Sequence, residues 1–163
     1  MDPFGSFHQL SICYENERDL EVAKFMYTSM GYGNWVKDTA TMSCVLADGT
    51  ETAYGALMYF NYEFMGGLEL EIMCNYGFRL TGRGPSVPGG HYLSHMSVHV
   101  DDVDEQVQRI GKAMNMNPAI RFTTGDHTNP AIAGKKHFKE AVFATYPMYG
   151  FDIKLIERVM ENG

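Results

Sequence analysis

Cysteine is scarce in this chain, and positive charge is outweighed. The 163 residues hold three cysteines, Cys13, Cys44 and Cys74, which are widely spaced and form no CxxC pair. That excludes a disulfide framework and the common cysteine zinc motifs, and it fits a reduced, cytoplasmic protein. Lysine and arginine number 13 against 20 acidic residues, a formal charge of −7. A nucleic-acid binder needs a basic patch, and Lys135-Lys136 is too short to supply one. No apolar run reaches the ~18–20 residues of a membrane span. The opening Met1-Asp2-Pro3-Phe4-Gly5 lacks the basic and apolar regions of a secretory signal. Gly82-Arg83-Gly84 does not connect a strand to a helix, so no phosphate loop is read there.

What the chain does have is apolar content of 45%, aromatics at 13%, and an internal repeat. Phe7-His8-Gln9-Leu10-Ser11-Ile12 and Ser94-His95-Met96-Ser97-Val98-His99 both alternate in the manner of a two-faced strand. A helical pattern follows each. Asn16 is a candidate N-cap with Asp19 three residues on, and Val22, Phe25, Met26 and Met30 form the apolar stripe. In the second copy Asp102 caps, Glu105 completes a capping box, Val103, Val107, Ile110 and Met114 make the stripe, and Pro118 ends it. These spacings predict helices near 17–30 and 102–115. Strands are expected at 41–46, 53–62 and 68–74, then at 120–124, 137–145 and 151–157. Asp48-Gly49 and Gly66-Gly67 are turns.

The order is βαβββ twice. Residues 1–76 form the first module, the Gly- and Pro-rich stretch 77–91 a linker, and 92–163 the second module. The fold class expected is α+β, with curved mixed sheets facing one another across a cup. His8 and His95 are 87 positions apart, whereas Gly67–Ile72 matches Gly150–Leu155 at an offset of 83.

His95-Met96-Ser97-Val98-His99-Val100-Asp101-Asp102-Val103 resembles the opening strand of a glyoxalase-type module. Glu71-Ile72-Met73-Cys74-Asn75-Tyr76-Gly77 is similar to a stretch of glyoxalase I, and Gly150–Glu157 to that family's closing strand. Over essentially its whole length the chain resembles the vicinal-oxygen-chelate superfamily of glyoxalases, bleomycin-resistance proteins and dioxygenases. The resemblance implies four cup positions, one from the first and one from the last strand of each module: His8, Glu71, His95 and Lys154.

Two imidazoles and a carboxylate suit iron, manganese, nickel, cobalt or zinc, so His8, Glu71 and His95 are the expected metal ligands. Lys154 departs from the pattern, because an ammonium cannot ligate. Glu157, three residues on, faces the other side of the strand. Lys154 either binds an anionic substrate beside a metal or pairs with Glu71 in a cup without one. The first reading makes Lys154 and Glu71 catalytic in a metal-assisted lyase, isomerase or dioxygenase acting on a small oxygen-rich molecule. The second makes the chain a metal-free binding protein, with Trp35, Tyr54, Tyr59, Tyr62 and Phe143 available to line the cup. His99 shares a face with His95, and His127 lies in a polar loop that could cover the cup. Cys74 at a strand end reads as packing. A small-molecule ligand and a homodimer are the expected partners.

Overall fold

The computed structural model describes residues 7–129 and 136–160; the N-terminal segment Met1–Gly5, Pro130 and Lys135 lie outside them. In chain order the elements are β1 (Phe7–Tyr14), α1 (Glu17–Ser29), β2 (Val36–Leu46), β3 (Glu51–Phe64), β4 (Leu68–Tyr76), β5 (His91–His99), α2 (Val103–Met114), β6 (Ile120–His127), β7 (Lys136–Phe143), a short α3 (Tyr146–Tyr149) and β8 (Asp152–Met160). Both long helices begin where a side chain replaces a missing backbone acceptor. Asn16 Oδ1 accepts from the Asp19 amide at 3.0 Å, and Asp102 Oδ1 from the Glu105 amide at 3.0 Å. The β2–β3 turn closes through Asp48 Oδ1 and the Thr50 amide at 2.9 Å. Gly49 there takes φ +85, a conformation a side chain would strain.

The eight strands close into one barrel in the order β1-β4-β3-β2-β6-β7-β8-β5. Each module supplies a four-stranded half of mixed pairing, with β1 parallel to β4 and β5 parallel to β8. The halves meet at two antiparallel seams, β1 with β5 and β2 with β6. The cup is therefore built within one chain. A barrel of eight strands has an interior that side chains can fill, with room for at most one small ligand.

Period-two alternation divides the apolar residues between two environments. Inside the barrel, Ala40, Met42, Cys44, Tyr54, Ala56, Met58, Phe60, Ile120, Phe122 and Val142 pack together. Outside, α1 covers Leu57, Tyr59, Leu70, Ile72 and Cys74, and α2 covers Val98, Ala141, Phe143, Ile153 and Leu155. All three cysteines are buried and free. Among the described residues no helix is long and apolar enough to cross a membrane.

The α1 stripe expected from sequence is not the face that packs. Val22, Phe25, Met26 and Met30 remain 53, 72, 60 and 69% exposed, while Leu20 and Ala23 are buried with Tyr27 beside them. Helix rotation is set by the sheet beneath. Leu20 and Ala23 are small enough to approach Leu70 and Ile72 closely, and Tyr27 reaches Trp35 and Phe64. In α2 the expected stripe does pack: Val103 and Ile110 are buried, with Val107 and Met114 against the same cluster.

Candidate functional site

The barrel interior has two chemically different walls. The apolar wall comes from β2, β3 and β6. The polar wall comes from β1, β4, β5, β7 and β8, which bury Gln9, Ser11, Glu69, Glu71, His95, Ser97, Glu140 and Lys154. Buried polar groups require partners, and most of these have them. Gln9 Nε2 donates to Glu69 Oε1 at 2.5 Å and Gln9 Oε1 accepts from Ser97 Oγ at 2.5 Å. Ser11 Oγ lies 3.3 Å from Met73 Sδ. Lys154 Nζ pairs with Glu140 Oε2 at 2.9 Å.

Glu71 and His95 are the centre of this wall. Glu71 Oε2 and His95 Nε2 lie 3.1 Å apart, but out of line for a hydrogen bond, and neither atom has another hydrogen-bond partner among the described residues. The other ring nitrogen, Nδ1, lies 3.1 Å from Ser94 Oγ. Burial opposes ionisation of Glu71, but the His95 ring, the Lys154 charge and the Ser11 hydroxyl outweigh it and hold its pKa at about 2. Burial pushes the His95 pKa down, against the pull of Glu71. Burial also disfavours the Lys154 charge, yet Glu140 and Glu71 raise its pKa above the usual lysine value. At neutral pH the wall thus carries a Glu71 carboxylate, a neutral imidazole and an ammonium.

The sequence-expected residues divide accordingly. Glu71 and His95 come together. Lys154 faces the same space, and its direct ion pair is with Glu140, a residue the sequence reading did not single out. His8 does not join them. The β1–β5 register shifts between Phe7 and Gln9, which leaves His8 as the extra residue, its ring stacked on His99 with centroids 3.4 Å apart. Gln9 pairs with Glu69 on β4 just as His95 pairs with Asp152 on β8, and Glu69 and Asp152 are 83 positions apart, the offset of the matching last strands. Gln9 is therefore the counterpart of His95, at an offset of 86 rather than 87. The helix caps Asn16 and Asp102 give the same 86. A slip of one residue moves a side chain to the other face of a strand.

Among the described residues no three His, Cys, Asp or Glu side chains gather in a way that could hold a metal ion. The interior leaves Glu71 and His95 as donors: Glu69 is held by Gln9, Glu140 by Lys154 and the Gln9 amide oxygen by Ser97, and a buried ammonium stands nearby. This set does not fit the three-ligand divalent ion expected from sequence, because the third donor is absent and the lysine repels a cation.

Other expected residues lie elsewhere. Of the five aromatics, only Tyr54 belongs to the interior cluster. Tyr59 and Trp35 pack under α1, Phe143 packs under α2, and Tyr62 is exposed. Glu157 lies outside the barrel and accepts from the Val103 amide at 2.9 Å. His127 ends β6, and its Nδ1 lies 2.7 Å from Asp38 Oδ2. The fully buried Asp38 also accepts from the amides of Thr128 at 2.8 Å and Asn129 at 2.9 Å, locking the β2–β6 seam. At the Tyr14 end the segment between β4 and β5 packs against the interior, beside a cavity of about 180 Å³ lined by Cys13, Asn75, Phe78 and Tyr92 among others. There Leu80 enters the core, and Thr81 and Arg83 hold Asp152 at 2.6 and 2.8 Å.

No family model and no curated protein matches the chain. Solved structures do. Methylmalonyl-CoA epimerase from Mycobacterium tuberculosis is 12% identical, covering 96% of this chain and 89% of its own, with a TM-score of 0.51. A Streptomyces coelicolor methylmalonyl-CoA epimerase variant in complex with 2-nitronate-propionyl-CoA is 10% identical over 94% of this chain and 97% of its own, TM-score 0.48. A hypothetical protein from Bacillus halodurans C-125 is 12% identical over 97% of each, TM-score 0.46. At such identities the likeness is one of fold. The chain shares the paired βαβββ fold of the Mycobacterium tuberculosis methylmalonyl-CoA epimerase structure.

Proposed function

We propose that the barrel is a small-molecule site that works without a metal, and that it carries out isomerase- or lyase-type proton transfer on a small molecule bearing a carbonyl or carboxylate. The observation that carries this reading is the buried Glu71–His95 pair, with two facing polar atoms left without hydrogen bonds and the Lys154 ammonium beside them. Buried, strongly perturbed titratable groups cluster at functional sites.

Each residue then has a distinct part. Glu71, held as a carboxylate, accepts the proton from the substrate carbon next to the carbonyl, its basicity rising as Lys154 turns to the substrate oxygen and no longer depresses it. The electron pair of that C–H bond moves onto the carbonyl oxygen, and Lys154 offsets the charge that develops there. His95 relays or returns the proton, with its ring position set by Ser94. Glu140 holds Lys154 in the charged form and in place. A proton returned to the same carbon from the other side gives isomerisation. Loss of a leaving group from the neighbouring atom gives a lyase.

The test follows deuterium uptake at the α-carbon by NMR, in D2O with EDTA present, for 2-oxo acids, hydroxyketones and malonyl-type thioesters. The parent should exchange at least one of these classes, and Glu71→Gln should lower the rate by ~10²-fold or more. Exchange that survives Glu71→Gln, or that appears only when a divalent metal is added, would overturn the reading. So would no exchange with any class.

A further inference from the structure

Helix α1 carries an apolar face that the barrel does not use. Val22, Phe25, Met26 and Met30 recur at helical spacing on the solvent side, each more than half exposed. Beside them runs a groove of about 410 Å³ between α1 and the start of β5, lined by Tyr14, Ala23, Met26, Tyr27, Met30 and His91 among others. The exposed positions of α2, the same element of the second module, are Glu105, Gln108, Arg109, Lys112 and Ala113, with no large apolar side chain among them. The fold thus places no apolar demand on the outer face of this helix, and the α1 residues need another explanation.

We infer that this face of α1 and its groove form a self-association surface on which a second copy of the chain lays its own α1 antiparallel. The four side chains together present roughly 400–500 Å² of apolar surface, as large as the largest patch on a typical monomer. Even with the groove it stays below the ~800 Å² per partner of a standard interface, which fits a weak, concentration-dependent dimer.

The surface is also self-complementary, as a twofold contact requires. Phe25 projects as a knob, and the groove lies along the adjoining flank of the same helix, so each copy offers a knob to the other's hole. Charge favours the antiparallel arrangement. The last turn of α1 has no basic residue of its own, and Arg18 lies four positions before Val22, on the same face near the N-terminus. In an antiparallel pair each Arg18 approaches the partner's helix C-terminus, where a cation is favourable, and the two helix dipoles oppose. The surface lies outside the barrel, so the inference does not rest on the proposed chemistry.

Sedimentation velocity of the full chain tests it, from about 1 to 100 μM. The parent should shift to twice the chain mass over this range. Phe25→Glu/Met26→Lys should weaken association at least ~100-fold and stay monomeric, while Met65→Lys, at an exposed apolar residue in the β3–β4 turn, should not. A measurement on the unsubstituted chain stands beside the variants. Peroxide oxidation of Met26 and Met30, read by mass spectrometry, should be several-fold slower at 100 μM than at 1 μM, and that of Met65 should not change. A parent that stays monomeric at 100 μM would overturn the inference. Dimerisation that survives the α1 substitutions, or that is lost equally on Met65→Lys, would do the same.

Discussion

The first module puts Glu69 and Glu71 on the interior face of its last strand, where the second puts Asp152 and Lys154. On the first strands Gln9 stands opposite in role to His95. The outer faces of those strands stay apolar in both modules: Leu10, Ile12 and Tyr14 under α1, Val98 and Val100 under α2. The repeat is thus kept where a helix must be seated on a sheet and changed where side chains meet across the barrel. Conserved seating makes two halves that close into one barrel. Divergent interiors bring a carboxylate from one half against an imidazole and an ammonium from the other. A symmetric interior with carboxylates at both last strands would have placed like charges together, at a cost that Lys154 avoids.

The comparison breaks most sharply at Lys154. Replacing it with Met leaves Glu140 and Glu71 buried beside each other without a cation. We expect a loss of ~3–5 kcal/mol, measured by urea denaturation. Adding Glu140→Leu to Lys154→Met should recover a large part of that loss, because the stranded carboxylate is removed as well. Additive losses in the double variant would show that the pair is not coupled.

The helices give the next largest effect. Leu20→Ala should cost ~2–5 kcal/mol, because Leu20 is fully buried against the first sheet. Phe25→Ala, only five positions on, should change the stability of the isolated chain by less than ~0.5 kcal/mol. Comparable losses at the two sites would mean that α1 sits rotated from the orientation described.

Stability against pH gives the smallest and broadest effect. Glu71 has a depressed pKa, so its contribution is complete above the unfolded value of ~4.3 and is lost as pH falls towards about 2. His95, pushed down by burial, is neutral when folded, so stability also falls below its unfolded value of ~6.5. Lys154 has a raised pKa. Its contribution is complete below ~10.4 and is lost as pH rises through the higher folded value. Thermal melts should therefore show a plateau between about pH 7 and 10, falling off on both sides. Glu71→Gln should flatten the shoulder below pH 4.3, and a shoulder unchanged in that variant would assign the acid loss to other groups.

The sequence by itself determined the βαβββ repeat. Alternation, Asx caps and Gly turns are local signals, and local hydrogen bonding and side-chain periodicity are enough to fix each element. It also identified Glu71, His95 and Lys154 as residues of interest. It misread His8, because a bulge near the start of β1 shifts the register by one residue, and a bulge is decided by how two strands twist against each other. Gln9 was the signal available, as the neighbour of equal strand position. Glu140 could be recognised only once β7 lay beside β8 and its carboxylate met Lys154. The α1 stripe was read correctly as a helical pattern, but a helix shows which residues share a face and not which face the sheet will cover. Pairing across strands, helix rotation and the meeting of two walls inside a closed barrel join residues as far as 144 positions apart, as Phe7 and Phe151 are, with ring centroids 5.9 Å apart. Those placements were decided by tertiary packing, because only the closed barrel sets which buried charges must neutralise one another.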